Sequence, residues 1–208
     1  MKRLSWNQVF PAFHSRENSD LRLPFTDTGD AMDKLRNEIR YYFEKRDMGK
    51  EPVVIGVTST EYNEGAFQTS IELAKSYAKV QPNVLLIDMD HHKRYATRYL
   101  LSKKNKDLME DLGEGIWRSR EGFVFYQADE KHYSNGSFAM LRTQYDMVIC
   151  SLPPVLKYAD AGMLCREVDG IVYTVREYYT RQESILSALN YSDMIQNKMI
   201  GFMYYKAR

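Results

Sequence analysis

Three stretches of polar residues follow directly on apolar runs, and they hold most of the residues that could do chemistry. They begin after Thr58, after Ile87 and after Cys150, and the second opens with the acids Asp88 and Asp90. In a parallel α/β sheet, ligands bind at the carboxyl ends of the strands, near the point where the strand order reverses. The three junctions are therefore candidates for one ligand site, although aspartates at strand ends also serve simply to cap a loop or the next helix.

The elements that must position these junctions follow from the apolar pattern. Residues 30–46 carry a helical stripe, and Arg181–Gln196 is another helical segment. Continuous apolar runs bounded by turn residues predict strands at Val53–Thr58, Asn83–Asp88, Gly122–Gln127, Asp146–Cys150, Gly170–Val175 and Met199–Tyr205. Such strands, alternating with helices, predict a single α/β domain in which a parallel sheet is covered by helices on both faces. We place this domain at residues 30–208, after an extended N-terminal arm at residues 1–29.

Composition argues against several classes of protein. The 208 residues carry a formal net charge of +1, which gives no reason to expect a nucleic-acid partner. No apolar run approaches the length of about 18 residues that a transmembrane helix needs. The basic start has no apolar segment behind it, so no signal peptide is expected. Two cysteines, Cys150 and Cys165, are too few for a disulfide framework and fit a reducing compartment. We therefore expect a cytoplasmic protein that does not insert into the membrane itself.

Few residues outside the junctions suggest catalysis or metal binding. His91 and His92 are adjacent, but beyond Asp88 and Asp90 no cysteine, histidine or acid stands at ligand spacing from them. We therefore expect a surface loop there and no metal. No Ser-His-Asp or Cys-His arrangement stands out either.

The three junctions together resemble the bacterial tyrosine-kinase family, the cytoplasmic partners of capsular and exopolysaccharide chain-length regulators. The resemblance rests on the strings Thr58–Ser70, Leu85–Asp90 and Tyr145–Val155, and on their order and spacing. It covers most of the chain. The family lies in the deviant-Walker P-loop group, with the MinD and ParA ATPases, so the resemblance implies a P-loop NTPase-like fold.

The phosphate-binding loop that the resemblance identifies is degenerate. The family's loop usually reads Gly-Glu-Gly-Lys-Ser/Thr, in which backbone N–H groups and the lysine bind phosphate and the hydroxyl holds Mg²⁺. The matching positions here are Asn63, Glu64, Gly65, Ala66, Phe67 and Gln68. Alanine thus replaces the lysine, and phenylalanine replaces the hydroxyl residue. The loop therefore has neither the charge that binds phosphate nor the hydroxyl that holds magnesium in the family.

The other positions of the family's site are partly kept and partly lost. Asp88 and Asp90 match the second acidic motif, whose residues serve magnesium and the activation of the attacking tyrosine hydroxyl in the family. Ser151 takes the place of the Walker B aspartate, and Tyr205 takes that of an asparagine that contacts the nucleotide base. The tyrosine-rich tail of the family is not expected, because the sequence stops at Arg208.

The first helix alters the family's oligomerisation motif, Glu-x-x-Arg-x-x-Arg. The matching string runs from Asp30 through Asp33 to Arg36, and Asp33 reverses a charge. Like charges that face each other across an interface are costly. A ring of the family's kind is therefore not expected, and another homo-oligomer is left open.

These changes predict a catalytically inactive tyrosine-kinase-like scaffold or regulator in exopolysaccharide or capsule biosynthesis. It would bind the cytoplasmic part of a membrane chain-length regulator or a kinase paralogue, would lie at the inner face of the cell membrane through that partner, and would need no cofactor. The alternative is an active tyrosine autokinase with a rearranged Mg-ATP site and a relocated lysine, Lys34 or Lys93. A MinD/ParA-like ATPase ranks third, because that group needs the same loop lysine.

Overall fold

The computed structural model describes residues 22–23, 28–48, 52–128, 137–191 and 193–206 of the chain. Its strands are β1 (Arg22–Leu23), β2 (Val53–Ser59), β3 (Val84–Asp88), β4 (Met109–Gly113), β5 (Ile116–Ser119), β6 (Val124–Gln127), β7 (Met147–Ser151), β8 (Gly170–Arg176) and β9 (Met199–Tyr205). Its helices are α1 (Thr28–Glu44), α2 (Ala66–Ala78), α3 (Tyr95–Leu100), α4 (Ser137–Gln144), α5 (Ala159–Glu167), α6 (Gln182–Tyr191) and α7 (Asp193–Lys198).

The described strands form one sheet in the order β1-β9-β8-β2-β7-β3-β6-β5-β4. In this spatial order, all neighbouring strands between β1 and β6 pair in parallel. At the other end of the sheet, β5 pairs antiparallel with both β6 and β4. The six strands predicted from the sequence are all present. The antiparallel pair β4–β5 was not predicted, because its residues are largely exposed and carry no continuous apolar run.

The core consists of two apolar layers, one on each face of the sheet. Strands β2, β3 and β7 are buried along their whole length, which is why their sequences are continuously apolar. One layer receives side chains from α1, α2 and α3, and the other receives them from α5 and α6. The predicted architecture is therefore confirmed: a single α/β domain with helices on both faces of a mostly parallel sheet.

Only a small part of the predicted N-terminal arm is described. Arg22 and Leu23 pair in parallel with the end of β9, and α1 begins at Thr28. The rest of residues 1–29 lies outside the described residues, so the division into an arm and a domain stays a prediction. Among the helices that the structure does describe, none combines the length and the apolar character that crossing a membrane requires.

The strand order places the three polar junctions side by side. Strand β7 lies between β2 and β3, and Ser151 is in register with Val57 on one side and with Asp88 on the other. Because all three strands are parallel, the loops that follow them leave the sheet at the same edge.

Candidate functional site

The loop between β2 and α2 is held in shape by its own glutamate. The Oε2 atom of Glu64 accepts hydrogen bonds from the Thr60 backbone N–H at 2.9 Å, the Thr60 hydroxyl at 2.9 Å and the Glu61 N–H at 3.1 Å. Glu64 is buried, and this burial raises the pKa of its carboxyl despite the hydrogen bonds. The turn that follows needs left-handed backbone at Asn63 (φ 66°) and Gly65 (φ 95°), conformations that asparagine and glycine tolerate best.

The two substituted positions begin helix α2. Ala66 is the first helical residue, and its methyl group offers no charge to a phosphate. The ring of Phe67 turns towards α3, with its centroid 5.6 Å from that of Tyr95 and 6.0 Å from that of Tyr99. Aromatic contacts with α3 therefore occupy this side of the start of α2.

The cavity at the loop is small. Its volume is about 20 Å³, and a single water needs about 10–15 Å³ on the same measure. It is lined by Ser59, Tyr62, Asn63, Gly65, Ala66, Phe67, Asp90, Tyr95, Ser151, Leu152 and Pro154. The described conformation thus has room for about one water molecule beside the loop that the resemblance matches to the family's phosphate-binding loop. Neither Lys34 nor Lys93, both exposed, is among the lining residues.

Asp88 is engaged by the backbone of the next helix. Its Oδ2 atom accepts the Thr97 backbone N–H at 2.8 Å and the Thr97 hydroxyl at 2.6 Å, while Oδ1 accepts the Asp90 N–H at 3.2 Å. Burial raises the pKa of Asp88 to about 6, although these hydrogen bonds act in the opposite direction. Asp88 therefore serves α3 as a capping acceptor, in agreement with the capping interpretation of the strand-end acids.

Asp90 is likewise occupied by the protein. Its Oδ1 atom accepts the Tyr62 hydroxyl at 3.1 Å and the backbone N–H groups of His92 at 3.2 Å and Lys93 at 3.3 Å. The Tyr62 ring packs edge-on against Tyr95, at 5.3 Å between centroids. Burial is the main cause of the raised pKa of the Tyr62 hydroxyl, so Tyr62 remains a hydrogen-bond donor to Asp90 at neutral pH.

Ser151 and Tyr205, which the resemblance matches to the family's Walker B acid and base contact, both lie beside the loop. Ser151 is buried at the end of β7, lines the cavity, and accepts the Met89 N–H through its carbonyl group at 2.9 Å. Tyr205 ends β9, as predicted, and its hydroxyl lies 2.6 Å from Thr69 Oγ1 of α2. Both side chains are neutral, so they add no charge that would order magnesium.

The three residues that the resemblance matches to the family's oligomerisation motif, Asp30, Asp33 and Arg36, lie on α1. Arg36 Nη1 donates to the Ser76 carbonyl of α2 at 2.5 Å and lies 3.3 Å from Asp33 Oδ1. The Ser76 hydroxyl in turn donates to Asp33 at 2.6 Å, and this hydrogen bond is the main cause of the lowered pKa of Asp33. Asp33 and Arg36 thus join α1 to α2 within the chain, and Asp30 is exposed in the first turn of α1.

Sequence spacing missed two features at this edge of the sheet. The first is a set of tyrosines that carried no motif: Tyr62 and Tyr95 line the cavity, and Tyr158 packs against Tyr62. The second is Asp160, which lies beside His91 and His92 and so supplies an acid where none was expected. The general cue for both was their place just after β2, β3 and β7, where side chains converge.

Solved structures of bacterial tyrosine-kinase domains share this fold. The VpsO kinase domain has a TM-score of 0.64 at 20% identity, over 87% of this chain and 97% of its own. The BceF tyrosine-kinase domain has a TM-score of 0.65 at 19% identity, over 86% of this chain and 77% of its own. The kinase domain of the Escherichia coli tyrosine kinase ETK has a TM-score of 0.62 at 17% identity, over 95% of this chain and 86% of its own. No protein-family model matches the chain, and no curated protein matches it in sequence.

The likeness extends over most of both chains, and at these identities it is a likeness of fold. The chain therefore has the fold of the bacterial tyrosine-kinase domains, as its motifs predict.

Proposed function

We propose that this protein is a catalytically inactive relative of the bacterial tyrosine kinases, a pseudokinase that acts as a scaffold or regulator in exopolysaccharide or capsule biosynthesis. We infer the pathway from the resemblance of the three junctions to the bacterial tyrosine-kinase family. The loss of activity is argued from the site itself.

The observation that supports inactivity best is the small size of the loop cavity, which has a volume of about 20 Å³ and is lined by Ala66, Phe67 and Ser151 among others. A charge-assisted hydrogen bond of the kind that the family's lysine makes is worth about 1.5–3 kcal/mol. Without the lysine and the magnesium ligand, nucleotide binding is weaker by about 3–6 kcal/mol, or about 10²–10⁴-fold. The aromatic contacts of Phe67 and Tyr62 would also have to be broken before a triphosphate could enter.

The retained acids are accounted for without catalysis. Asp88 accepts hydrogen bonds from Thr97, and Asp90 accepts one from Tyr62. Both carboxylates therefore have a structural task in the β3–α3 junction. Their presence is compatible with a scaffold in which the fold is kept and phosphoryl transfer is not.

A protein with this fold and without phosphoryl transfer would act by binding. We propose the cytoplasmic part of a membrane chain-length regulator, or a kinase paralogue, as its partner, which would hold the protein at the inner face of the cell membrane. A pull-down with purified cytoplasmic tails of such a regulator, and with a kinase paralogue, tests this role. Saturable capture supports it, and no capture by either class of partner contradicts it.

Transfer of radiolabel from the γ-phosphate of ATP to the purified protein tests inactivity. We expect no labelling of the wild type, and the same background for Asp88→Asn. Labelling that depends on magnesium and is lost in Asp88→Asn would instead establish the alternative, an active autokinase with a rearranged Mg-ATP site.

A further inference from the structure

Two histidines and a distant aspartate meet beside the degenerate loop. His91 and His92 follow β3, and Asp160 lies in the first turn of α5, 68 residues beyond His92 in the chain. Asp160 Oδ2 lies 3.4 Å from His91 Nε2 and 3.2 Å from His92 Nε2. One donor atom from each of the three residues lies within 4.8 Å of the other two, and no other such group occurs among the described residues.

We propose that His91, His92 and Asp160 bind one divalent transition-metal ion, and that Zn²⁺ is the ion they suit best. Imidazole nitrogen with carboxylate oxygen is a common zinc ligand set, whereas Mg²⁺ prefers oxygen ligands alone. Zinc–ligand bonds of about 2.0–2.1 Å in a tetrahedron place two ligand atoms about 3.3 Å apart. The separations of 3.2 and 3.4 Å between Asp160 Oδ2 and the two histidine nitrogens match that spacing, and the group's donor atoms all lie within 4.8 Å of one another, which is close enough to share one ion.

The ligand rings are held in place before any ion arrives. The Tyr158 ring stacks on His92, with centroids 3.5 Å apart and planes 6° from parallel. The ring of His91 lies against the other histidine at 4.1 Å between centroids. The backbone N–H of His92 is bound to Asp90. Such supporting contacts fix the orientation of the rings and so reduce the conformational entropy that the side chains lose when a metal binds.

The three donors remain within reach of the solvent. Their side chains are 14% (His91), 28% (His92) and 31% (Asp160) exposed, so an ion can reach them without unfolding of the loop. Three protein ligands leave the fourth tetrahedral position open for a water or for a side chain of a partner. The bound ion would also tie the β3–α3 loop to the start of α5, beside the edge of the sheet where the cavity lies.

Calorimetric titration of tag-free, chelator-treated protein with Zn²⁺ alone tests the proposal. We expect one equivalent to bind. Asp160→Asn, which removes the charge and keeps the side-chain shape, and His92→Ala should each lower the affinity by at least about 10–100-fold, the loss usually seen for residues that only support a ligand. His132→Ala is the matched histidine control and should bind as the wild type does. Circular dichroism should show that all variants are folded.

Co²⁺ serves as a spectroscopic probe of the same site. The wild type and His132→Ala should develop the visible absorption of tetrahedral cobalt at one equivalent, and Zn²⁺ should abolish it. Mg²⁺ should leave it unchanged. The proposal is overturned if the folded wild type binds no stoichiometric Zn²⁺, or if the Asp160 and His92 variants bind it as tightly as His132→Ala does, which would mean adventitious binding at other groups.

Discussion

The ring of Tyr205 packs against Gly65 so closely that a Cβ atom on Gly65 would lie 2.3 Å from Tyr205 Cε2. The hydroxyl of Tyr205 lies 2.6 Å from Thr69 Oγ1. The ring therefore contacts the loop, and its hydroxyl contacts helix α2. Tyr205 thus supports the loop from within the chain. Loop and last strand form one packed unit.

We expect Gly65→Ala to destabilise the protein by about 2–5 kcal/mol. Left-handed backbone costs a residue other than glycine about 1–2 kcal/mol, and forcing a methyl group into a packed site costs about 1–3 kcal/mol. Gly113→Ala is the control, because Gly113 also has positive φ (87°), and among the described residues no atom lies within 4 Å of the place that its Cβ would take. The free energy of unfolding of Gly113→Ala should fall only by the backbone contribution, about 1–2 kcal/mol. Urea unfolding measures both, and equal losses would refute the contact with Tyr205.

Asp88 should make stability fall as the pH rises. Its pKa is about 6 in the folded chain and about 3.9 when unfolded, so the folded state holds the proton more tightly. The resulting stabilisation is complete below about pH 4 and is lost as the pH rises through about 6; it amounts to about 3 kcal/mol.

Asp88→Asn should remove that contribution. The urea midpoint of the wild type, minus that of the variant, should decrease between about pH 4 and 6. Glu64, whose pKa is also raised by burial, is present in both proteins and cancels in the difference. A difference that is constant across this pH range would show that Asp88 titrates normally.

Arg36→Ala should destabilise the fold by about 1–3 kcal/mol, because it removes charge-assisted hydrogen bonds to Ser76. Arg40→Ala is the matched control on the same helix. Arg40 lies 3.7 Å from Glu44 with both side chains largely exposed, and such pairs contribute at most about 0.5 kcal/mol. Unfolding and light scattering should be measured together. A change in mass without a change in stability would assign Arg36 to an interface instead.

Restoring the family's residues should restore nucleotide binding. The triple variant Ala66→Lys, Phe67→Ser, Ser151→Asp returns the charge, the hydroxyl and the acid, and removes the ring that packs on Tyr95. We expect an Mg-ATP affinity about 10²–10⁴-fold above that of the wild type, measured by calorimetry. Ala66→Lys alone is the control and should recover only part of it. A triple variant that is folded and gains nothing would contradict the account of the loop.

Much of the fold was predictable, because local patterns carry it. Strands such as Val53–Ser59 and Met147–Ser151 are buried on both faces, so their sequences are continuously apolar and stand out. The pair β4–β5 was missed for the opposite reason: Met109–Gly113 is an exposed edge strand whose side chains are mostly polar. Edge strands carry little apolar signal, and their pairing depends on the neighbour that they extend.

The candidate site was predictable in its location and not in its contacts. The motif order indicated that Ala66, Asp88 and Ser151 converge at one edge of the sheet. It could not place the ring of Phe67, whose direction depends on α3. It also could not bring Asp160 to His92, since that distance results from how the β3–α3 and β7–α5 junctions pack.

Calorimetric titration of the wild-type protein with Mg-ATP tests the central claim most directly. The small cavity beside Ala66 and Phe67 predicts no saturable heat up to millimolar nucleotide. Micromolar affinity for Mg-ATP would contradict the account, because it would mean that the loop opens and binds phosphate without the lysine and the hydroxyl.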